Sequence, residues 1–256
     1  MDIRAHNREA WNREVEGGQN RWSQPVSPEI IAKAKQGEFS VLLTENIPVP
    51  HKWFPALKGA DVLCLASGGG QQGPVLAAAG ANVTVFDNSP RQLEQDQLVA
   101  AREALPLKTV EGDAADLSAF ADGSFDLVFN PVSTVFMPDV RAVWRECHRV
   151  LRQGGILMTG VMNPVHYIFD LYKADEGTLE VAHSIPYSDL TDLPKEYLDE
   201  LVEKGLPVEF GHSLTDLLGG QCDAGFVITD LFEDYMLDSL VHNYHPNYVA
   251  TRALKL

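Results

Sequence analysis

The chain has 256 residues, and its 36 Asp and Glu outnumber its 20 Lys and Arg, which gives a formal net charge of −16. Because nucleic acids are held through clustered cations on their phosphates, this charge disfavours a nucleic-acid partner. With 45% hydrophobic and 22% charged residues, the composition is that of a globular protein and excludes disorder throughout.

No apolar run approaches the ~20 residues that span a bilayer, and the first residues lack the apolar core of a signal peptide. We therefore expect a cytoplasmic protein with no membrane partner. Cys64, Cys147 and Cys222 are odd in number and far apart, without a Cys-x-x-Cys pair. They are predicted to be packing thiols rather than disulfide or zinc ligands.

The first 56 residues are polar and rich in proline turns, which predicts an N-terminal extension. After Asp61, short apolar runs alternate with helical patterns, as expected for a parallel sheet covered on both faces. Glycine at 154 and 155 is predicted to stop the helix that precedes the fifth strand. The predicted strands cover residues 62–65, 82–86, 108–110, 125–129 and 156–161, with helices at about 71–79, 90–104 and 140–151, and two further strands at 226–232 and 248–254 that close the sheet antiparallel.

A glycine turn, Gly68-Gly69-Gly70, joins the first predicted strand to a helix. Glycine lets backbone N–H groups approach a ligand without side-chain obstruction, so the turn suits a nucleotide-like cofactor. Asp87 lies 19 residues after Gly68, at the end of the second strand, where a carboxylate can accept both hydroxyls of a ribose. Glycine-rich turns also arise only to pack a helix on a strand, so this pattern alone is not decisive.

Residues 61–161 resemble the class I S-adenosylmethionine-dependent methyltransferases, particularly their small-molecule branch. The motif residues are Cys64, Ala66, Gly68 and Gly70 in the first strand and turn, the run 83–89 ending the second strand, 111–117 after the third, 125–132 at the fourth, and the Val-Leu-x-x-Gly-Gly turn at 150–155. Two positions depart from the family pattern. Ala66 replaces a glycine, and Cys64 replaces an acidic residue and cannot supply its carboxylate.

The resemblance implies S-adenosylmethionine as the cofactor, with Asp87 on the ribose and with Asp113 and the following N–H against the adenine. It also implies an α/β fold: a Rossmann-like, doubly wound sheet of seven mostly parallel strands with an antiparallel last strand, a helical N-terminal extension over residues 1–56, and a methyltransferase domain over 57–256 with a lid insertion at about 163–225. The predicted cofactor-binding residues are Ala66, Ser67, Gly68, Gly70, Gln72, Asp87, Asn88, Gly112, Asp113, Ala114, Asn130 and Pro131.

Two other functions use similar features. A nicotinamide-dependent oxidoreductase would share the glycine turn and the carboxylate of the second strand. A cofactor-binding module without turnover would be consistent with the departures at Cys64 and Ala66. The run Asn130-Pro131-Val132-Ser133 lacks the second proline and the aromatic residue with which amino-methylating nucleic-acid enzymes hold a flipped base, so a small-molecule acceptor is favoured.

His166 and Tyr167 follow the fifth strand, where a parallel sheet opens its cleft, and are candidates for contact with the acceptor; the alternative is that they anchor the insertion. The aromatic residues Trp11, Trp22, Trp53 and Phe54 either cover the cofactor or pack in the core. His242-x-x-His245 has the spacing of a metal pair but no clear third ligand, so no metal is predicted.

Residues 163–245 hold 17 Asp and Glu against 3 Lys and no Arg. This acidic segment is predicted to be either a solvated face or a lid that favours a cationic or amine-bearing acceptor. The sequence sets neither the acceptor nor the oligomeric state.

Overall fold

The computed structural model describes all 256 residues. Seven strands form one sheet in the order β3-β2-β1-β4-β5-β7-β6. Strand β7 runs antiparallel to both of its neighbours and the other strands are parallel, which confirms the predicted doubly wound sheet with a reversed last strand. The strands are β1 Asp61–Leu65, β2 Asn82–Asp87, β3 Leu107–Glu111, β4 Phe125–Asn130, β5 Leu151–Met162, β6 Phe226–Asp234 and β7 Tyr248–Lys255. Both β6 and β7 were expected to run antiparallel to the other strands. Only β7 does so, because β6 pairs antiparallel with β7 and therefore has the same direction as β1 to β5.

The helices include the predicted helical N-terminal extension and several short helices in the insertion. Ser89 caps α4, because its Oγ accepts the Gln92 N–H at 3.1 Å and Pro90 is the first helical residue. The helices are α1 Ile3–Gly17, α2 Pro28–Ala34, α3 Gln72–Ala78, α4 Pro90–Glu103, α5 Val140–Val150, α6 Leu171–Asp175, α7 Asp189–Asp192, α8 Lys195–Lys204 and α9 Gly220–Asp223. None of them is long and apolar enough to cross a bilayer.

The sheet separates two apolar cores, and β1 contributes to both of them by alternation. Val62 and Cys64 face the core formed with α2, α3 and α4, whereas Leu63 and Leu65 face the core formed with α5. Cys147 is buried in the second core, as expected for a packing thiol. Cys222 is exposed, so the packing prediction was wrong for this residue.

The junction between α5 and β5 differs from the prediction. The helix ends at Val150 and the strand begins at the next residue, Leu151, so the expected C-terminal glycine cap does not exist. Gly154 has φ +79° and lies within β5, where the pairing with β4 shifts register between Phe125 and Leu127. The glycine pair therefore forms an irregularity in the strand rather than a helix stop.

Residues 41–47 of the N-terminal extension lie across the carboxyl ends of β4 and β5. The Leu43 carbonyl accepts the Val132 N–H at 3.0 Å and would lie 2.0 Å from a Cβ on Gly160, so β5 needs glycine there. The Leu42 N–H donates to Gln72 Oε1 at 3.1 Å. This segment therefore fixes the backbone beside the carboxyl edge of the sheet.

Asp234, at the end of β6, holds the same segment. Its Oδ2 is the acceptor for the Thr44 hydroxyl at 2.8 Å and for the N–H groups of Glu45, Asn46 and Ile47 at 3.1, 2.7 and 3.0 Å. The residue is 2% exposed. Burial alone would raise the pKa of this carboxyl, but the hydrogen bonds outweigh it and the pKa lies below its usual value.

The insertion packs on a third apolar group at the ends of β4 and β5, which we call the tyrosine cluster: Val135, Met162, Tyr167, Tyr187 and Tyr248. Two short strands, Tyr187–Ser188 and Phe210–Gly211, pair antiparallel over it. Between them lies α8, which follows Pro194 and is capped by Gly205 with φ +67°.

Candidate cofactor and acceptor site

The carboxyl ends of β1 to β4 meet at one edge of the sheet, and the strand order reverses between β1 and β4. Open parallel sheets bind ligands at such a reversal. The structure brings the predicted cofactor-binding residues to this edge: the turn 66–70 after β1, Asp87 and Asn88 after β2, residues 112–114 after β3, and Asn130 and Pro131 at β4. Their contact with the cofactor stays a prediction.

Asp87 ends β2 and places its carboxylate beside the glycine turn. Its Oδ2 accepts the Gly68 N–H at 2.9 Å, and its Oδ1 accepts the Ser89 N–H at 2.9 Å. Burial raises the pKa of Asp87, although these N–H groups oppose the shift. Each carboxylate oxygen can accept two hydrogen bonds. Each oxygen of Asp87 therefore keeps one acceptor position, which gives two positions for the two hydroxyls of a ribose.

The glycine turn uses its N–H groups differently from the prediction. The Gly69 N–H donates to Asp96 Oδ2 at 3.0 Å and to the Gln92 carbonyl at 3.0 Å, so the N–H groups of Gly68 and Gly69 fix the turn instead of facing a ligand. On its other side, the Trp22 carbonyl oxygen would lie 2.1 Å from a Cβ on Gly69. Only glycine allows this approach.

Asp96 of α4 supplies a carboxylate to the glycine turn, which Cys64 of β1 cannot do. Both side chains are fully buried. Burial raises the pKa of Asp96 well above its usual range, and burial, with a contribution from Asp96, also raises the pKa of the Cys64 thiol. The departure from the family pattern at Cys64 is therefore accompanied by a carboxylate supplied from a helix.

Replacing Asp96 by leucine is expected to weaken S-adenosylmethionine binding more than about tenfold, because the Gly69 N–H loses its buried acceptor and the turn loosens. Asp96→Asn is the matched control. Its amide oxygen still accepts from Gly69 and it carries no charge, so affinity should change by less than about threefold. Titration calorimetry measures both, with thermal unfolding to show that each variant is folded; equal affinities would contradict this role.

The Ser67 hydroxyl also lies in this turn. It is 5% exposed and has no hydrogen-bond partner in the protein. Leaving a buried hydroxyl unpaired costs about 1–3 kcal/mol, so a ligand that pairs with it is favoured. The Ser67 hydroxyl and the open acceptor positions of Asp87 are polar groups at the carboxyl edge that fit S-adenosylmethionine.

The residues after β3 keep a backbone donor free at the expected adenine position. Asp113 Oδ1 accepts the Ala115 N–H at 2.9 Å, and Asp113 Oδ2 lies 4.0 Å from Arg4 Nε in an exposed ion pair. The Ala114 N–H makes no hydrogen bond within the protein. Gly112 lies against the ring of Phe86, whose Cζ would be 2.1 Å from a Cβ at this position. A larger residue at 112 would therefore push the loop away from β2.

Asn130 lies beneath the edge, fully buried, with its side chain used within the protein. Its Nδ2 donates to the Leu65 carbonyl at 2.9 Å and to Ser133 Oγ at 2.8 Å, and its Oδ1 accepts from Thr159 Oγ1 at 2.9 Å. This side chain ties β4 to β1 and β5, and both of its N–H donors are used within the protein. The half-buried Pro131 follows it.

Helix α1 crosses the carboxyl edge. The Asn88 side chain is paired with its first turn, since Arg4 Nε donates to Asn88 Oδ1 at 3.2 Å and Asn88 Nδ2 donates to the Arg4 carbonyl at 2.9 Å. Asn7, 3% exposed, donates from Nδ2 to the carbonyls of Phe136 and Val208 at 3.1 and 3.0 Å. The helix therefore connects the end of β2, the loop after β4 and the insertion.

The three tryptophans do not act together. Trp11 on α1 packs edge-on against Phe136 with ring centroids 5.2 Å apart, and Trp22 contributes its carbonyl to the cover of the glycine turn. Trp53 is 1% exposed and packs against Phe232 in the core, which agrees with the packing interpretation for this residue. An aromatic cover over the cofactor stays a prediction for Trp11 and Trp22.

His166 and Tyr167 lie at the tyrosine cluster, both buried. His166 Nδ1 accepts from Asn247 Nδ2 at 3.2 Å, and burial lowers the pKa of His166 to about 4, so the imidazole is neutral with its proton on Nε2. This arrangement does not favour His166 as a base. The Tyr167 hydroxyl donates to Glu209 Oε2 at 2.6 Å.

Glu209 lies beside Tyr167 at the tyrosine cluster, and the sequence did not indicate it as a candidate. It is one acid among many in the insertion, and no motif marks it. Its only sequence signal is its place between Val208 and Phe210, two apolar residues that the structure buries.

His242 and His245, which have the spacing of a metal pair, form hydrogen bonds with the backbone carbonyls of Ser239 and Pro246 through their Nδ1 atoms.

Comparison with known proteins agrees with this architecture. The family described as "Methyltransferase domain" matches residues 63–159. The protein named "Uncharacterized methyltransferase YbaJ" of Bacillus subtilis is 49% identical over 255 residues, which cover 98% of this chain and 98% of that protein. A "Ubiquinone biosynthesis O-methyltransferase" of Xanthomonas campestris is 31% identical over 131 residues, covering 51% of this chain and 54% of its own.

Two solved structures share the fold over nearly the whole chain. The geranyl diphosphate C-methyltransferase of Streptomyces coelicolor has a TM-score of 0.61 at 14% identity and covers 100% of this chain and 99% of its own. The 1,6-didemethyltoxoflavin-N1-methyltransferase of Burkholderia thailandensis has a TM-score of 0.58 at 15% identity, covering 98% and 88%. With the full-length relative and the fold in agreement, the chain belongs to the class I S-adenosylmethionine-dependent methyltransferases.

Proposed function

We propose that this methyltransferase methylates a small organic molecule bound over the ends of β4 and β5, beside a cofactor held at the ends of β1 to β3. The tyrosine cluster carries this proposal. It places buried apolar and aromatic side chains next to the cofactor edge, and such a lining is typical of small-molecule sites. The acidic insertion above it is unsuited to a nucleic acid.

S-adenosylmethionine, when bound, supplies a methyl group activated on a sulfonium and a neutral thioether as leaving group. The residues of the chain bind and align it. Asp87 accepts from the ribose, and Asp113 Oδ2 with the Ala114 N–H meets the adenine. Helix α1, joined to the insertion through Asn7, excludes water and holds the acceptor in line with the methyl group.

The names of the two solved relatives support a small-molecule acceptor, since one acts on geranyl diphosphate and the other on 1,6-didemethyltoxoflavin. At their low sequence identity to this chain, these two structures show only a shared fold. The acceptor of this chain therefore has to be inferred from its own side chains. The lid role of residues 163–225 and the separate extension over residues 1–56 belong to the same proposal.

Titration calorimetry with S-adenosylmethionine, S-adenosylhomocysteine and NAD tests the cofactor, and a radiolabelled-methyl assay on a metabolite extract tests the acceptor. We expect both adenosyl compounds to bind, NAD not to bind, and label to enter the small-molecule fraction. Binding of NAD alone would overturn the cofactor assignment. Label that entered only protein or nucleic acid would overturn the acceptor class.

A further inference from the structure

Two carboxylates of the insertion face inward at the tyrosine cluster, Asp189 and Glu209. Asp189 is 6% exposed and both of its oxygens are used: Oδ1 accepts the Tyr187 hydroxyl at 2.7 Å, and Oδ2 accepts the Glu209 N–H at 2.7 Å. Asp189 therefore joins the two short strands and has a structural function.

Glu209 is different, because only one of its oxygens is used. Oε2 accepts the Tyr167 hydroxyl at 2.6 Å, while Oε1 makes no hydrogen bond, and no lysine or arginine forms an ion pair with this carboxylate. The side chain is only partly buried, so Oε1 is open to a bound molecule. Burial, with a contribution from Asp189, raises the pKa of Glu209 to about 7.

Tyr167 fixes the position of this carboxylate. Its ring stacks on Tyr187 at 5.2 Å and 16°, and a Cβ on Gly211 would lie 2.7 Å from its Cδ2, so the ring is held between the two. Glu209 therefore lies at a fixed point beside aromatic rings, and such rings attract cations.

A second polar atom without a partner lies nearby. The Thr134 hydroxyl is fully buried and unpaired, in the turn after β4 that packs against Phe210–Gly211. The Thr134 carbonyl is within 3.1 Å of His212 Nε2. The turn after β4 therefore packs on the short strand that carries Glu209.

The titratable groups near Glu209 are mainly tyrosines and acids: Tyr167 on the turn after β5, Tyr187 and Asp189 on the paired strand, and Tyr248 on β7, with His166 held neutral by burial. Two histidines lie on the same elements, since His183 packs against Tyr187 and His212 stacks on Phe210. No lysine or arginine pairs with Glu209, so its position is open to the cation of a bound molecule.

We propose that the acceptor is an amine that arrives protonated, and that Glu209 binds its ammonium group and takes a proton from it. This inference rests on the proposed function and names its substrate class. Tyr167 is the positioning residue for Glu209. The free Oε1 and the aromatic rings of Tyr167 and Tyr187 favour a cationic amine over a neutral alcohol or a carboxylate.

The step balances as follows. One proton passes from the ammonium nitrogen to Glu209 Oε1, which frees the nitrogen lone pair. The lone pair forms the new bond to the methyl carbon as the carbon–sulfur bond breaks, and that electron pair returns to sulfur. The products are a methylated ammonium and a neutral thioether, and Glu209 later releases its proton to water.

The test uses the full chain saturated with S-adenosylhomocysteine and three matched probes: benzylamine, benzyl alcohol and benzoate. Calorimetry of the wild-type complex should show benzylamine binding at least about tenfold more tightly than the other two. In Glu209→Gln the preference for benzylamine should disappear while the affinity for S-adenosylhomocysteine is unchanged. Glu203→Gln, an exposed acid of α8, is the control and should keep the preference.

Wild-type protein that showed no preference for benzylamine over benzyl alcohol would overturn this inference, and so would a Glu209→Gln variant that retained the preference. If the variant failed to fold, the order of the three wild-type affinities would still decide. Failure of S-adenosylhomocysteine to bind the wild type would instead count against the proposed function, so the two failures are distinguishable.

Discussion

The Asp87→Asn variant is expected to lose at least about 100-fold in affinity for S-adenosylmethionine. The loss corresponds to two charge-assisted hydrogen bonds to the ribose at about 1.5 kcal/mol each. Asparagine has one acceptor oxygen where aspartate has two, so it cannot serve the Gly68 and Ser89 N–H groups and both ribose hydroxyls. Titration calorimetry measures the effect directly.

Glu94→Gln is the control for this change, since Glu94 lies on the adjoining helix α4, paired with Arg91 at the surface. Its affinity should match the wild type. Thermal unfolding of both variants separates a lost contact from a lost fold. An unchanged affinity in a folded Asp87→Asn variant would remove the ribose role from this residue.

The Asp234→Ala variant is expected to be about 3 kcal/mol less stable than the wild type, because the Thr44 hydroxyl and three backbone N–H groups lose their buried acceptor. For a chain of this size the melting temperature should fall by about 6–12 °C. The control is Asp230→Ala on the same strand, since Asp230 pairs with an exposed Lys52 at 3.0 Å and should contribute less than about 1 kcal/mol.

The effect of Asp234 should also depend on pH. Its pKa is lowered in the folded state, so its contribution is fully present above the ordinary carboxyl pKa and is lost as the pH falls through the lowered value. The stabilities of wild type and Asp234→Ala should therefore converge in acid. Parallel stability curves down to low pH would contradict this account of the residue.

Strands β1, β2, β4 and the later part of β5 could be predicted because each is a short, mostly apolar run followed by a polar turn, and such a run reflects the burial of that strand alone. Strand β3, which contains Lys108 and Thr109, is only partly buried and carries a weaker pattern. The glycine cap after α5 was wrong for a related reason. The pattern of Gly154 and Gly155 is local, whereas the strand that begins at Leu151 is fixed by pairing with β4.

The positions of the polar site residues could be predicted in part. Asp87 could be placed beside the glycine turn because its position at the end of a strand determines where its carboxylate points, and its contact with a ribose stays a prediction. Asp96, Asn7 and Glu209 were not found, because their partners lie 27, 201 and 42 residues away and are brought near only by packing. Spacing along the chain carries no signal for such contacts.

The reversed direction of β7 determines where this protein can be fused to other sequences. The C-terminus leaves the sheet at the edge opposite the site, where Lys255 Nζ donates to the carbonyls of His148 and Leu151 at 2.6 and 2.8 Å. The N-terminus lies three residues before Arg4, whose contact with Asn88 joins α1 to β2. An affinity tag or reporter therefore belongs after Leu256, because one placed before Met1 would crowd the helix that covers the cofactor edge.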